Sequence, residues 1–343
     1  MLKLVSVNIV NWNGLYFLSE CIESIKLQTY KNIEINIIDN NSTDGSVDFL
    51  SGKYPDIKLV NNMRNEGFSK AHNQAIMISS GEYILPLNFD IVLSPAFVEE
   101  MVKAIESSPK IGIVSGKLYA LKNGGKTNII DSTGITMQGM FPADRGQNET
   151  DSGQYDKIEY VFGASGAAPL FRREMLEDIK LNKEYFDEDF YIYVEDVDIC
   201  WRAQLYGWKA LYTPSAIAYH SRGTTRENDS EMKRDYLLIG YRNRYWTIIK
   251  NVILFDLLKN FLWLSIIESR FYLSNILQKN YFIFKVPFMV LSGVSRMLRK
   301  RIMIQRKRKV SSIYMEQFFF SEIRHTVKKK LRGFMKAFSR GLE

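Results

Sequence analysis

The chain has 343 residues, of which 46% are hydrophobic and 24% charged; this composition excludes general disorder and leaves room for about two structural units. Its two cysteines exclude a disulfide framework and a cysteine-rich zinc scaffold. The net charge of +8 is unevenly distributed, because residues 296–343 carry +12 and residues 1–295 carry −4. The N-terminal residues alternate like a strand rather than a secretory signal, and no uncharged stretch of about 18 residues predicts a spanning helix.

The first 120 residues alternate between strand and helix patterns. Strands are predicted over residues 4–10, 33–39, 57–61, 83–88 and 111–118, and helices over residues 14–28, 46–54, 68–79 and 94–107. This alternation predicts an α/β fold with a mixed, mostly parallel sheet and helices on both faces. Ligands of such sheets bind beyond the carboxyl ends of the strands. Polar clusters follow four of the predicted strands, at residues 11–13, 39–44, 61–67 and 88–90.

The second half of the chain changes character twice. Residues 121–160 are rich in Gly, Asn, Asp and Thr and predict a long loop with short strands, after which a helix is predicted over residues 196–206 and a loop and strand over 208–219. Beyond residue 230 the pattern is helical with large apolar faces. We therefore predict an α/β domain over residues 1–229, an amphipathic helical region over 230–295 and a basic tail over 296–343.

Two of the polar clusters carry carboxylates suited to a nucleotide. Asp39 ends the second strand, where a carboxylate can accept hydrogen bonds from a base or ribose. Asp90 follows the fourth strand together with Asn88, where oxygen ligands would bind a divalent cation that bridges a diphosphate. The alternative in each case is an ordinary turn, with Asp44 or Ser94 capping the following helix.

Residues 184–198 combine acidic and aromatic side chains, and half-buried carboxylates of this kind can act as bases. Asp196 is one candidate, although it could also cap its helix, where the helix dipole would keep it ionised. His220 follows a strand near these acids. It is either a metal ligand or an ordinary loop histidine.

Taken together, these segments resemble the inverting family 2 glycosyltransferases with the GT-A fold. The matching segments, in chain order, are residues 7–14, 37–46, 65–68 with Asn73, 87–90, 166–173, 186–190, 195–198 and 214–220. The resemblance covers about residues 3–225 and is greatest to bacterial rhamnosyltransferase-like enzymes of O-antigen and capsule assembly.

The resemblance implies a role for nine residues. Asp196 would be the catalytic base, with Glu195 and Asp198 as rivals, and one of the three is expected to face the cleft because adjacent helix residues point in different directions. The nucleotide-sugar would contact Asn11, Asp39, Asn65, Gly67, Phe68 and Asn88. Asp90 and His220 would bind Mg²⁺ or Mn²⁺. Asn88 stands where the strict family motif has Asp, which lowers the expected metal affinity.

The implied function is transfer of a sugar such as rhamnose from a dTDP- or UDP-linked donor to a hydroxyl of a glycan or lipid-linked glycan acceptor. One alternative is an inactive sugar-nucleotide-binding or assembly scaffold, which Asn88 favours. Another is a nucleotidyltransferase. That activity would need a Gly-rich, cationic loop after the first strand, where this chain has Asn11, Trp12, Asn13 and Gly14.

The apolar faces and basic clusters beyond residue 230 predict association with an anionic membrane surface. We therefore expect a cytoplasmic protein that is peripheral on the inner face of a bacterial membrane. The alternatives are helices that cover the sheet, or a homo-oligomer interface beside a solvated basic arm. A nucleic-acid partner is not expected, because no recognised binding module accompanies the basic residues.

Overall fold

A ten-stranded mixed sheet organises the structure, a computed structural model that describes residues 2–122, 124–222 and 230–319. The strands are β1 (Val5–Asn11), β2 (Ile33–Asp39), β3 (Lys58–Asn61), β4 (Tyr83–Asn88), β5 (Ile91–Leu93), β6 (Ile111–Lys122), β7 (Gly125–Ser132), β8 (Ile135–Gln138), β9 (Phe141–Asp144), β10 (Glu159–Val161), β11 (Leu170–Arg172) and β12 (Lys209–His220). The helices are α1 (Leu15–Lys26), α2 (Ser46–Lys53), α3 (Phe68–Ile78), α4 (Phe97–Glu106), α5 (Arg173–Ile179), α6 (Glu195–Leu205), α7 (Ser230–Asn251), α8 (Leu254–Lys259), α9 (Phe261–Leu277), α10 (Val286–Leu291), α11 (Val294–Lys307) and α12 (Ser312–Phe319).

The sheet order is β10-β12-β6-β11-β4-β1-β2-β3, with β5 paired to β12 and β7 paired to β6. Strands β3, β2, β1 and β4 are parallel, and β6 and β12 form a second parallel pair. Short strand β11 joins the two blocks by antiparallel pairing with β4 and β6. Parallel neighbours require crossovers, which α1, α2 and α3 supply. The predicted α/β fold with a mixed, mostly parallel sheet is confirmed.

The register of the parallel strands brings their polar carboxyl ends together. Asn11 pairs with Asp39, and Asp39 pairs with Asn61. On the other side of β1, Val10 pairs with Asn88. The polar clusters predicted from the sequence therefore meet at one edge of the sheet.

Helices cover both faces of the sheet, as predicted. On one face, α1 buries Leu18, Ile22 and Ile25, whose spacing matches one helical stripe, and α4 packs beside it. On the other face, α5 and α6 form the larger core with residues from α8, α9, α11 and α12.

Residues 121–160, predicted as a long loop with short strands, contain strands β7, β8 and β9 and the start of β10. Strand β7 pairs antiparallel with β6, and β8 and β9 form a separate hairpin. The reason is packing, since Ile130 and Asp131 of β7 are both buried. Strands β7 and β9 place two carboxylates, Asp131 and Asp144, at the carboxyl edge of the sheet.

The described part of the predicted basic tail is not a solvated arm. Helix α11 buries Met297 and Ile304. Its basic side chains pair with the rest of the protein, since Arg301 Nη1 donates to the Ile249 carbonyl at 2.8 Å and Lys300 Nζ donates to the Asp189 carboxylate at 2.9 Å. Helix α11 runs across the predicted boundary at residue 296 and packs its apolar side on the rest of the protein. Residues 320–343 lie outside the described residues.

Among the described residues, no single helix has the length and apolar character needed to cross a membrane. The bent pair formed by Tyr281–Leu291 and Val294–Lys307, which meet at 58°, satisfies those criteria only when its two helices are taken together.

Candidate active site

A cleft of about 560 Å³ opens at the carboxyl edge of the sheet. Seven of the nine predicted site residues line it: Asn65, Gly67, Phe68, Asn88, Asp90, Asp196 and His220. They come from loops and from the ends of strands and helices that are far apart in the sequence, so the topology assembles most of the predicted site in one place.

Asn11 and Asp39 do not line the cleft. Both are fully buried, and the Asn11 amide donates to the Asp39 carboxylate at 2.7 Å. Asp39 also accepts hydrogen bonds from the backbone and the hydroxyl of Ser42, at 2.8 and 2.7 Å. The oxygens of Asp39 therefore hold the turn after β2 in this structure. Direct contact of either residue with a nucleotide stays a prediction.

The loop before α3 is shaped by Asn65 and Gly67. The Asn65 side-chain oxygen accepts a hydrogen bond from the Gly67 amide at 2.9 Å. Gly67 has a φ of 81°, and a Cβ there would lie 2.3 Å from the Tyr191 ring. Only glycine satisfies both conditions. Phe68 then begins α3 and packs against the His72 ring, with 4.2 Å between centroids.

Strand pairing brings Asp90 and His220 together although they are far apart in the sequence. Residue 90 immediately precedes β5, in which Ile91 pairs with His220 of β12. His220 Nε2 lies 3.3 Å from Asp90 Oδ1, and its Nδ1 lies 2.9 Å from Asp131 Oδ2. Burial lowers the pKa of His220, but the hydrogen bonds to Asp131 and Asp90 outweigh it and raise that pKa to about 9.

These residues suit a divalent cation that also binds a diphosphate. Within the described residues, no group of three or more His, Cys, Asp and Glu side chains could hold a metal ion alone. Asp90 nevertheless offers a carboxylate ligand and Asn88 an amide oxygen, and His220 Nε2 would become a further ligand once a bound cation displaces its proton. Asp131 holds the other imidazole nitrogen, as carboxylates commonly do for metal-ligating histidines. Mg²⁺ is typically held by one or two carboxylates plus substrate phosphates, so this donor set fits.

Asp196 lies in the first turn of α6 and does not cap it. Its Oδ2 accepts a hydrogen bond from the Gly166 amide at 2.8 Å, and its Oδ1 accepts one from the Val197 amide at 2.8 Å. Burial raises the pKa of Asp196 to about 6, against these hydrogen bonds. The alternative that Asp196 caps its helix is therefore not what the structure shows, and its pKa is close to the value that suits a general base near neutral pH.

The two rival carboxylates differ from each other. Asp198 is buried in ion pairs with Arg202 and Lys250, at 3.0 and 2.9 Å, and has no access to the cleft. Glu195 does line the cleft, and its Oε2 has no hydrogen-bond partner among the described residues. Burial and the nearby Asp196 raise the pKa of Glu195 well above its ordinary value, which favours its neutral form. The expectation that only one of the three acids faces the cleft was therefore wrong.

Sequence reasoning missed Arg222 and the residues around it. Arg222 lines the cleft, pairs with Asp131, and donates to Asp144 at 2.5 Å. It lies beside His220, since both side chains pair with Asp131. The position of Arg222, two residues after His220, could have indicated that it belongs to the site. Asp131 and Asp144 lay in the stretch predicted as a long loop with short strands, which gave no such indication.

The model of glycosyl transferase family 2 matches residues 6–180, about half of the chain. The chain belongs to glycosyl transferase family 2. This confirms the resemblance drawn from the motifs and identifies the chain as a glycosyltransferase.

Two curated relatives from bacteria show how far the similarity extends. The chain is 24% identical over 254 residues to the N-acetylglucosaminyl-diphospho-decaprenol L-rhamnosyltransferase of Mycobacterium tuberculosis, covering 67% of this chain and 81% of that protein. It is 26% identical over 233 residues to the O-antigen biosynthesis protein RfbC of Myxococcus xanthus, covering 66% of this chain but 18% of that protein. The chain also spans only 27% of an uncharacterized relative from Sinorhizobium fredii.

Solved structures agree on the fold. The structure of GalNAc-T7 with UDP, GalNAc and Mn²⁺ matches with a TM-score of 0.53 and 16% identity, covering 73% of this chain and 51% of that chain. At this identity the match establishes the GT-A glycosyltransferase fold alone.

Proposed function

We propose that this family 2 enzyme transfers a sugar from a nucleoside-diphosphate donor to a hydroxyl of a glycan or lipid-linked glycan, with inversion at the anomeric carbon. One observation carries the proposal. A single cleft contains both Asp196, with a pKa raised to about 6, and the Asp90 and His220 pair, with Arg222 beside them.

In this proposal the two groups of residues divide the chemistry of one displacement. Asp196 removes the proton from the acceptor hydroxyl as its oxygen attacks the anomeric carbon. The nucleoside diphosphate leaves from the opposite face of the sugar, and Arg222 helps to offset the negative charge that develops on it. Asp90, His220 and Asn88 would hold a divalent cation, which supplies further positive charge at the diphosphate when bound.

The finer assignment to rhamnose transfer rests on the curated relatives. The mycobacterial relative is named for L-rhamnose transfer to a lipid diphosphate acceptor, and RfbC is named for O-antigen biosynthesis. We propose dTDP-L-rhamnose as the donor and an N-acetylglucosaminyl-diphospho-polyprenol as the acceptor class.

A stability screen with nucleotides tests donor binding. A ligand that binds only the folded state raises the melting temperature by mass action. We expect dTDP or UDP to raise it, and Mn²⁺ or Mg²⁺ to increase the rise, whereas ADP serves as a control for nonspecific binding. No shift with dTDP, UDP, GDP or their sugar conjugates, from protein shown to be folded, would contradict the glycosyltransferase proposal.

We also propose that the C-terminal helices rest on an anionic membrane on the cytoplasmic side. Large apolar side chains are more than half exposed along α8, α9 and α10 and the turn between them. They include Leu254, Phe255, Leu258, Phe261, Leu262, Ile266, Leu273, Leu277, Tyr281, Phe288 and Leu291. A solvent-exposed apolar surface of this extent indicates an interaction site.

The charges around this apolar surface support an anionic partner. Within residues 254–299, the exposed charged side chains are all cationic: Lys259, Arg270, Lys279, Lys285, Arg296 and Arg299. The two acids of that segment, Asp256 and Glu268, are buried or half-buried. Apolar insertion flanked by lysine and arginine is the usual composition of helices that lie in an anionic interface.

Vesicle sedimentation tests the membrane proposal. We expect the protein to bind phosphatidylglycerol vesicles more tightly than phosphatidylcholine vesicles, and the double substitution L262Q/F288Q to abolish most of the binding. Met63→Gln is the matched control, since Met63 is 94% exposed far from these helices in the sequence. Absence of vesicle binding, together with a dimer that the double substitution dissociates, would assign the surface to a homo-oligomer instead.

A further inference from the structure

The loop that leads into Asp196 is held in an unfavourable backbone conformation. Tyr191, Tyr193 and Val194 have φ angles of 64°, 69° and 70°. Non-glycine residues rarely adopt such angles, and a β-branched residue such as Val194 least of all. Strain of this kind persists only where the surrounding structure imposes it.

This loop lines the cleft beside the proposed base. Tyr191, Ile192 and Tyr193 contribute to the cleft wall, and Glu195 and Asp196 follow directly. The Tyr193 side chain is 45% exposed. Because a base must touch the hydroxyl that it deprotonates, this wall is where an acceptor would lie.

Two adjacent side chains of α7 hold the loop, and Asn243 makes the larger number of contacts. Arg242 Nη2 donates to the carbonyls of Asp189 and Phe190, at 3.1 and 3.3 Å. The fully buried amide of Asn243 donates hydrogen bonds to the carbonyls of Phe190, Ile192 and Tyr193, at 2.8, 2.9 and 2.8 Å. The Asn243 oxygen in turn accepts hydrogen bonds from Arg242, at 3.0 and 2.8 Å, which fixes the orientation of the amide. A side chain with these contacts can compensate for the unfavourable φ angles.

Helix α7 is itself anchored on both sides. Lys250 pairs with Asp198 of α6 at 2.9 Å. The Trp246 indole donates to the Val290 carbonyl of α10 at 3.0 Å. Helix α7 thus connects the cleft loop with the helices that carry the exposed apolar surface, and it lies outside the residues that the family model matches.

We propose that Asn243 is a positioning residue for the acceptor side of the cleft: it holds residues 190–194 so that Tyr193 and Asp196 face the acceptor. The assignment of this side to the acceptor rests on the proposed function. The claim that Asn243 holds the loop does not rest on the proposed function, and it can be measured separately.

Hydrogen exchange measures directly how strongly Asn243 restrains the loop. In Asn243→Ala, we expect the peptide covering residues 188–196 to exchange at least about tenfold faster than in the wild type. Asn251→Ala is the matched control. Asn251 is an equally buried α7 amide that donates to Asp198 at 2.8 Å and to the Thr247 carbonyl, not to the loop. Unchanged exchange in Asn243→Ala, or equal acceleration in both variants, would overturn the proposal.

Kinetics with dTDP-L-rhamnose and N-acetylglucosaminyl-diphospho-decaprenol test the functional part. We expect Asn243→Ala to lower kcat/KM for the acceptor at least about tenfold, with the Kd for dTDP changed less than twofold. Val194→Gly should recover part of the loss in the Asn243→Ala background, because glycine adopts the positive φ without strain. A parallel loss of dTDP affinity, or no recovery with glycine, would show a general structural role and overturn the proposal. An inactive wild type would instead contradict the proposed function and leave the exchange result to decide the hold on the loop.

Discussion

The backbone amide of Gly166 donates a 2.8 Å hydrogen bond to Oδ2 of Asp196 and thereby fixes the carboxylate in the cleft wall. A Cβ on Gly166 would lie 3.3 Å from the Asp196 Cβ, which is tighter than most such contacts, so glycine favours the close approach. Burial raises the pKa of Asp196 to about 6 while this hydrogen bond favours its ionised form. The carboxylate is therefore ionised near neutral pH and still basic enough to accept a proton.

The first prediction concerns the pH dependence of transfer. A base must be deprotonated to act, so kcat should rise with pH, reach half its maximum near the Asp196 pKa of about 6, and level off above it. The measurement is initial-rate kinetics from pH 5 to 8. Binding of dTDP over the same range is the control, and an apparent pKa near 4, the ordinary value for Asp, would contradict the assignment.

The second prediction concerns Asn88. Restoring a carboxylate with Asn88→Asp should tighten Mn²⁺ binding about tenfold, since carboxylates are stronger ligands for hard cations than amides. Calorimetric titration of Mn²⁺ in the presence of dTDP measures it. Asn13→Asp adds the same charge to the cleft lining at a position not assigned to the metal, so an equal gain there would show that general charge alone is responsible.

The third prediction concerns the buried ion pairs that join α7 to the catalytic core. Lys250 is fully buried and pairs with both Asp187 and Asp198. Burial alone would raise the pKa of Asp187, but Lys250 and Lys300 hold that pKa well below its ordinary value. Lys250→Met leaves buried carboxylates short of a partner and should lower the free energy of unfolding by about 3–5 kcal/mol.

Urea denaturation of Lys250→Met tests this expectation. Lys103→Met is the matched control, because Lys103 is 61% exposed and solvent screens its pairs with Glu99 and Glu100, so a much smaller loss is expected. Equal losses of unfolding free energy in the two variants would show that the buried ion pairs do not stabilise the packing of α7 on the core.

The sequence predicted the sheet and its polar edge well, because both depend on local patterns. Strands β2 and β4 end at Asp39 and Asn88 as expected. Parallel pairing then aligns the strand ends without further information. Asp90 and His220 come together through pairing between β5 and β12, which no local pattern reveals. The prediction that they share a site came from the family resemblance instead.

The partners of the acidic residues in the segment 184–198 could not be predicted from the sequence. Residues 184–198 were interpreted as a site, and Asp196 does line the cleft. Asp187, Asp189 and Asp198, however, pair with Lys250 and Lys300 from helices that were assigned to other units of the chain. Lys300 was counted with the basic tail because the partners of a charged side chain are set by tertiary packing rather than by its neighbours in the sequence.

The measurement that tests the account most directly is sugar transfer by the wild type and by Asp196→Asn, with dTDP-L-rhamnose as donor and N-acetylglucosaminyl-diphospho-decaprenol as acceptor. We expect the wild type to form a product of inverted anomeric configuration. Asp196→Asn should lose about 10²–10⁴-fold in kcat while its Kd for dTDP stays within twofold, because the asparagine keeps the shape of the carboxylate but cannot accept the proton. Wild-type turnover that survives this substitution, or a retained anomeric configuration, would contradict the assignment of Asp196 as the base of an inverting transfer.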